Sequence, residues 1–239
     1  MNKKNVLVVG GSGGIGTHLV REFADAGYTV LATYYGHKEA MDGMQSLCSG
    51  IFQLNVSSEE ECINISNAIK EDYGKLDALI YASGIFEDAL TEDMPLSSWQ
   101  KIIDINLTGA FLMTKHLLPL LRGSGDGRIV YIGSVMGEAG CYGSGSYSVT
   151  KAGLVALAKS VALENAKKNV TANVLSFGYI DTGMTSKVAD HVLESAMRKI
   201  PMKRLGNPSD AAKVAVDLCT KHMNYVSGQT IRVNGALYV

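Results

Sequence analysis

Apolar and polar positions are arranged along this chain in blocks. Strand-like runs rich in apolar residues fall at 5–9, 29–33, 51–54, 77–82, 128–133, 170–175 and 229–233, and between them lie stretches of helical spacing. Their alternation with helical stretches predicts βαβ units around a parallel sheet. The expected fold is α/β, a doubly wound parallel sheet flanked by helices. No linker or repeat interrupts it, so a single domain over residues 1–239 is expected. Glycine-rich segments at 123–127 and 140–145 read as loops.

The first run, Asn5-Val6-Leu7-Val8-Val9, leads into Gly10-Gly11-Ser12-Gly13-Gly14-Ile15-Gly16 and then a helix expected to begin near Thr17. Glycines permit a tight turn and let backbone amides approach a pyrophosphate, whose charge a helix N-terminus favours. In this strand–turn–helix context the glycines read as a Rossmann-type nucleotide site. The second strand ends in Tyr34-Tyr35-Gly36-His37-Lys38, with no Asp or Glu to clasp ribose hydroxyls. A 2′-phosphate is therefore tolerated, and the expected cofactor is NADP(H), with NAD(H) still open. Lys38 or His37 either pairs with that phosphate or is an ordinary solvated loop residue.

A second constellation lies further on. Tyr147 follows Ser134 by thirteen positions and Lys151 follows Tyr147 by four, on a stretch whose apolar positions 154, 155, 157, 158 and 161 are helical. That spacing places the phenol and the ammonium one turn apart on one face. A free phenol has a pKa of about 10, too high for an easy relay near neutrality. A cation at ~5 Å with an effective dielectric of ~20 contributes about 3 kcal/mol, roughly two pKa units, toward the phenolate. Ser134 follows the run Ile129-Val130-Tyr131-Ile132, so its hydroxyl is expected at the carboxyl end of a buried strand, facing the ligand crevice, where it can hold a carbonyl. These groups together predict an oxidoreductase.

With Gly10-x-x-x-Gly14-x-Gly16, Asn106, Ser134 and Tyr147-x-x-x-Lys151 in order, the whole chain resembles the short-chain dehydrogenase/reductase family. It looks most like the 3-oxoacyl-[acyl-carrier-protein] reductases, through Ile132 to Val135, Tyr147 to Leu154, Ile180 to Met184, Ser227 to Thr230 and Val233-Asn234-Gly235. The resemblance makes Tyr147 the acid that protonates the carbonyl oxygen and Ser134 the group that orients it. Lys151 would bind the nicotinamide ribose and lower the Tyr147 pKa, and Asn106 would hold a relay water. Taken alone, Asn106 reads as a core-helix amide satisfied by backbone. Cofactor contacts are implied at Gly10, Ser12, Gly13, Gly14, Ile15, Gly16, Tyr34, Asn55, Val56, Ala82, Gly84, Tyr147, Lys151, Ile180 and Thr182.

The chain departs from the family pattern at several points. Tyr81-Ala82-Ser83-Gly84 stands where the family has Asn-Asn-Ala-Gly, so the bracing amides are absent and cofactor binding there is expected to rest on backbone. Phe177-Gly178 replaces Pro-Gly, Val9 a customary Thr, and Gly13 an Arg that many NADP-preferring members carry. Of two basic positions that carrier-protein reductases use for docking, one matches Lys168 and the other falls on Gly125.

The implied reaction is reduction of a 3-oxoacyl thioester to its 3-hydroxyacyl thioester, with acyl-coenzyme A or free ketone substrates as the alternative. A noncatalytic nucleotide sensor or scaffold is the rival from another class. A lid over substrate is implied at about 184–207, where Val188, Val192, Leu193, Ala196, Met197 and Ile200 share one helical face; the same stripe fits packing on a core or a neighbouring subunit. The segment from Gly228 to Val239 resembles the family's subunit contact and implies a homotetramer.

Composition narrows the picture further. The net charge is −1 without a basic block, which argues against nucleic acid and anionic membranes as partners. Four cysteines show no CxxC spacing, and neither a signal peptide nor a bilayer-length apolar span is evident. A reduced, cytoplasmic protein is expected. The histidines and carboxylates form no ligand cluster, so no metal is expected.

Overall fold

The first apolar run is β1 (Asn5–Val9), buried along its whole length. The computed structural model describes residues 3–182 and 190–239. Further strands are β2 (Thr29–Tyr34), β3 (Cys48–Gln53), β4 (Ala78–Tyr81), β5 (Gly127–Ser134), β6 (Val170–Phe177) and β7 (Thr230–Val233), joined in one seven-stranded parallel sheet of order β3-β2-β1-β4-β5-β6-β7.

Side chains of one strand point alternately to the two faces, and both faces are covered. Val6 and Val8 pack with α1 (Gly14–Asp25) and α9 (Pro208–Leu218), through Leu19, Phe23, Ala211 and Ala215. Leu7 and Val9 face α3 (Glu59–Tyr73), α5 (Gly109–Gly123) and α7 (Gly145–Asn165), through Ile65, Met113 and Leu154. Burial on both faces explains why these strands are apolar without alternation. Shorter helices are α2 (Lys38–Asp42), α4 (Leu96–Ile103) and α6 (Met136–Ala139), and α8 (Asp190–Lys199) precedes α9. No helix among the described residues is long and apolar enough to cross a membrane.

Two boundaries differ from expectation. The third strand starts at Cys48 rather than 51, because Cys48-Ser49-Gly50 lies in an edge strand that is only partly buried and needs no apolar run. The first helix starts at Gly14, three residues before Thr17. Its N-cap, Gly13, is extended and supplies no side-chain cap, and its first turn holds no acid, so glycine-rich sequence begins a helix whose leading amides stay free. Of the lid segment, residues 184–189, with Met184 and Val188 among them, lie outside the described residues.

The order of strands reverses between β1 and β4, and ligands of open α/β sheets bind outside the carboxyl ends at such a switch point. There Gly10 has φ +85°, and an added Cβ would lie 2.8 Å from the Ser83 nitrogen. An added Cβ on Gly16 would overlap the Gly10 carbonyl, so only glycine lets α1 approach the turn so closely.

Between α4 and α5 the helix runs on through a π-helical turn, Asp104–Thr108, in which the Gly109 amide reaches back to the Asp104 carbonyl. Tyr81 braces this turn from the end of β4, its hydroxyl donating to the Ile105 carbonyl at 2.5 Å. Gly109 allows the approach, since a Cβ there would sit 2.5 Å from the Tyr81 hydroxyl and 2.9 Å from Val56 Cβ. Overpacking of this kind costs about 1–3 kcal/mol. Gly109→Ala should therefore lower the urea midpoint by that amount of stability. Gly123→Ala, whose Cβ would meet nothing within 4 Å, should be neutral or stabilising by up to about 1 kcal/mol.

Candidate active site

Ser134 is the last residue of β5, paired in register with Phe177, and its Oγ accepts from the Met136 amide at 3.2 Å. The chain then makes the single turn α6, loops through Gly140 at φ +73°, and enters α7, whose first two turns carry Tyr147 and Lys151. A Cβ on Gly137 would lie 2.7 Å from the Lys151 backbone carbonyl carbon. This contact presses the turn after Ser134 directly onto the helix that holds the other two groups.

Lys151 is 5% exposed. Its Nζ donates to the Ile132 carbonyl at 2.6 Å and lies 5.2 Å from the Tyr147 ring centroid. Burial pushes the ammonium down to about 8. Burial also pushes the Tyr147 phenol up to about 12, while the Ser134 hydroxyl pulls it the other way. The expectation that Lys151 brings the phenol toward neutrality is not met by these protein groups alone. Its Nζ is committed to a backbone carbonyl, so desolvation decides the phenol's pKa. The consequence suits a proton donor, because Tyr147 stays protonated across the neutral range.

Asn106 sits in the π-turn, fully buried. Its Oδ1 accepts from the Ile85 amide at 2.8 Å, and its Nδ2 donates to the Ile85 carbonyl at 2.9 Å and to Thr150 Oγ1 at 3.3 Å. Thr150 Oγ1 in turn donates to the Tyr147 carbonyl at 2.7 Å. The resemblance assigns this amide a relay water; here it is taken up by backbone and Thr150, the satisfied core amide that the residue alone suggests. Its geometry is that of a brace joining the β4–α4 loop to the helix of Tyr147.

The residues expected at a dinucleotide gather along the carboxyl edge of the sheet. Ser12, Gly13, Gly14 and Ile15 form the turn and first helical residues after β1, and Thr33 Oγ1, a contact the sequence reading did not single out, accepts from the Gly10 amide at 3.1 Å. Tyr34 ends β2, and its carbonyl accepts from the Leu54 amide, which brings Asn55 and Val56 beside it. The Asn55 side chain is occupied locally, accepting from Ser57 Oγ at 2.7 Å, and Val56 is buried under Gly109. The Ala82 amide bonds the Val9 carbonyl. Gly84 adjoins the catalytic groups, as an added Cβ would stand 3.5 Å from Asn106 Oδ1 and 3.7 Å from Lys151 Nζ. Ile180 bridges to Gly206, and Thr182 follows two residues on.

The glycine cradle and the uncapped amides of α1 fit a pyrophosphate, so a nicotinamide dinucleotide suits the residues present. Such a cofactor supplies a hydride. Sequence reasoning missed Tyr81, Ile85, Phe86, Gly137 and Thr150. Of these only Gly137 carries a local signal, a glycine placed between an active-site strand and its helix.

A pH profile of kcat/KM for carbonyl reduction checks the electrostatics. Activity that needs the Lys151 ammonium is present below pH about 8 and falls as pH rises through it, because its pKa is lowered. Tyr147, at about 12, adds no limb in the neutral range. Lys151→Ala should lack the limb near 8 and bind cofactor more weakly; a limb that persists in this variant belongs to another group.

The chain is similar in sequence to known proteins over nearly its whole length. A family model described as Enoyl-(Acyl carrier protein) reductase matches residues 10–237. The chain is 38% identical over 235 residues to an acetoacetyl-CoA reductase of Rhizobium meliloti (strain 1021), covering 97% of each protein. It is 33% identical over 242 residues to the 3-oxoacyl-[acyl-carrier-protein] reductase FabG of Staphylococcus aureus (strain MW2), covering 99% of this chain and 98% of the relative. An acetoacetyl-CoA reductase of Shinella zoogloeoides is 36% identical, with 97% of each covered. This chain belongs to the short-chain dehydrogenase/reductase family, NAD(P)H-dependent oxidoreductases that act on carbonyl and hydroxyl groups.

Proposed function

We propose that this protein reduces a 3-oxoacyl thioester, of the acyl-carrier-protein type, to the 3-hydroxyacyl thioester with NADPH. The observation that carries the reading is the group of half-buried Ser134 and Tyr147 and buried Lys151 beside a glycine-lined dinucleotide crevice. Ser134 Oγ donates to the substrate carbonyl oxygen and fixes its direction. Tyr147 gives its phenolic proton to that oxygen as the carbonyl carbon receives hydride. The phenolate left behind, short-lived in the cycle, has the Lys151 ammonium near its ring and the Ser134 hydroxyl as a hydrogen-bond donor. Asn106 and Thr150 act as positioning residues for Tyr147.

The absence of an acid at Tyr34 to Lys38 supports NADPH, with exposed His37 and Lys38 able to meet a 2′-phosphate. A homotetramer built through Gly228 to Val239, and a cytoplasmic setting, complete the reading. The implied lid, about 184–207, belongs to it also, and within its described part Ile200 is buried.

A second reading, acyl-coenzyme A or free ketone substrates, is favoured by one observation. Lys168 and Gly125, the positions that match carrier docking, precede β6 and β5 and so lie at the amino edge of the sheet, opposite Tyr147. At the carboxyl edge the loop after β4 carries exposed Glu87, Asp88, Glu92 and Asp93, unfavourable to an acidic carrier and to the phosphates of coenzyme A alike, which supports the free-ketone arm of this reading.

An oxidation screen with NADPH and NADH separates these readings, using acetoacetyl groups on carrier protein, on coenzyme A, on N-acetylcysteamine and as the ethyl ester. NADPH and thioester preference are expected; turnover confined to free ketones would remove the thioester reading. Tyr147→Phe should lower turnover by about 10²- to 10⁴-fold, the worth of a general acid, while cofactor fluorescence titration still shows NADPH binding. Residual turnover near wild type would remove Tyr147 as donor.

A further inference from the structure

The ring of Phe86 stands against the ring of Tyr147, with centroids 5.2 Å apart and planes at 87°. Two perpendicular rings form a right-angled corner, and Phe86, at 37% exposure, keeps part of its surface free. The ring is not carried on a loose loop. On one side Ile85 is clamped through both its amide and its carbonyl by Asn106. On the other, the Ala89 amide bonds the Gly143 carbonyl at 2.8 Å and Asp88 accepts from Ser144 Oγ at 2.9 Å. Phe86 is thus held at fixed points before and after it, over the phenol that donates the proton.

A carbonyl oxygen within reach of both Ser134 and Tyr147 brings the substituents of its carbon into this corner. A planar substituent lies along the Phe86 ring, whereas a short saturated one leaves that surface uncovered. Aromatic pairs gain attraction beyond the area they bury, and a branched aliphatic side chain cannot reproduce it. We infer that Phe86 is a specificity-determining residue, its ring being the wall that favours an aryl or conjugated substituent on the reacting carbonyl over a methyl or short alkyl one. This rests on the carbonyl reduction at Tyr147 proposed above, and it narrows the substrate to flat 3-oxoacyl groups.

The test compares kcat/KM on matched pairs, ethyl benzoylacetate with ethyl acetoacetate and the corresponding N-acetylcysteamine thioesters. The wild-type protein should prefer the phenyl member of each pair. Phe86→Leu, which keeps apolar volume but loses the ring, should lower the phenyl-to-methyl ratio by about tenfold, the upper end of a ring–ring increment. Phe86→Tyr should restore it. A ratio that does not move, or an equal fall on both members, would show that Phe86 only supports Tyr147 and would overturn the inference. Turnover of the esters without the thioesters would remove the thioester reading and leave the ratio readable. Calorimetric binding of ethyl 3-hydroxy-3-phenylpropanoate and ethyl 3-hydroxybutyrate to the NADPH-loaded protein, a pair in which alcohol and reduced cofactor cannot react, gives the same ratio without turnover, and equal affinities there also count against Phe86.

Discussion

The site depends on holding an ammonium out of water with very few partners. Lys151 has a backbone carbonyl at one side and an aromatic ring at the other, and among the described residues no carboxylate pairs with it. Desolvation of a charge is expensive, and an unpaired one lowers its own pKa rather than bearing the full penalty. That is the state seen here. The arrangement persists because the backbone around it is packed too closely to relax. Gly137 lies on the Lys151 backbone, Gly84 lies near its Nζ, and β5 supplies the Ile132 carbonyl one residue past its pairing with β4 while still paired with β6.

The same packing ties the proton donor to elements distant in sequence. Asn106 belongs to the π-turn between α4 and α5, yet it fixes Ile85 after β4 and, through Thr150, the backbone of Tyr147. A π-turn widens the helix locally and re-aims a side chain that a regular helix would direct elsewhere, and such turns concentrate at functional sites. The structure therefore uses one irregular turn to join three separate segments around the phenol.

Much of this was legible in the sequence because it rests on local patterns. Seven strand-like runs became seven parallel strands, the inner ones β1 and β4 most plainly because burial on both faces leaves them apolar. Ser134, Tyr147 and Lys151 were legible because strand end and helix turn fix their relative places. The rest depends on contacts far apart in the chain. The edge strand β3 began earlier than its apolar residues because half of it is solvated. The partners of Asn106, the perpendicular Phe86 and the desolvation that governs both pKa values arise only after distant segments meet. No spacing rule reports how deeply a lysine is buried.

Tyr81 shows what such a site tolerates. Its hydroxyl reaches the Ile105 carbonyl from the last position of β4, where the resemblance implied an asparagine. The scaffold asks that corner for one donor of suitable reach, and a phenol meets the demand once a glycine opposite, Gly109, makes room for it. Donor and glycine form a matched pair. A search template that insists on the amide would discard chains whose reacting groups stand intact, whereas one that scores the tyrosine jointly with its facing glycine would keep them.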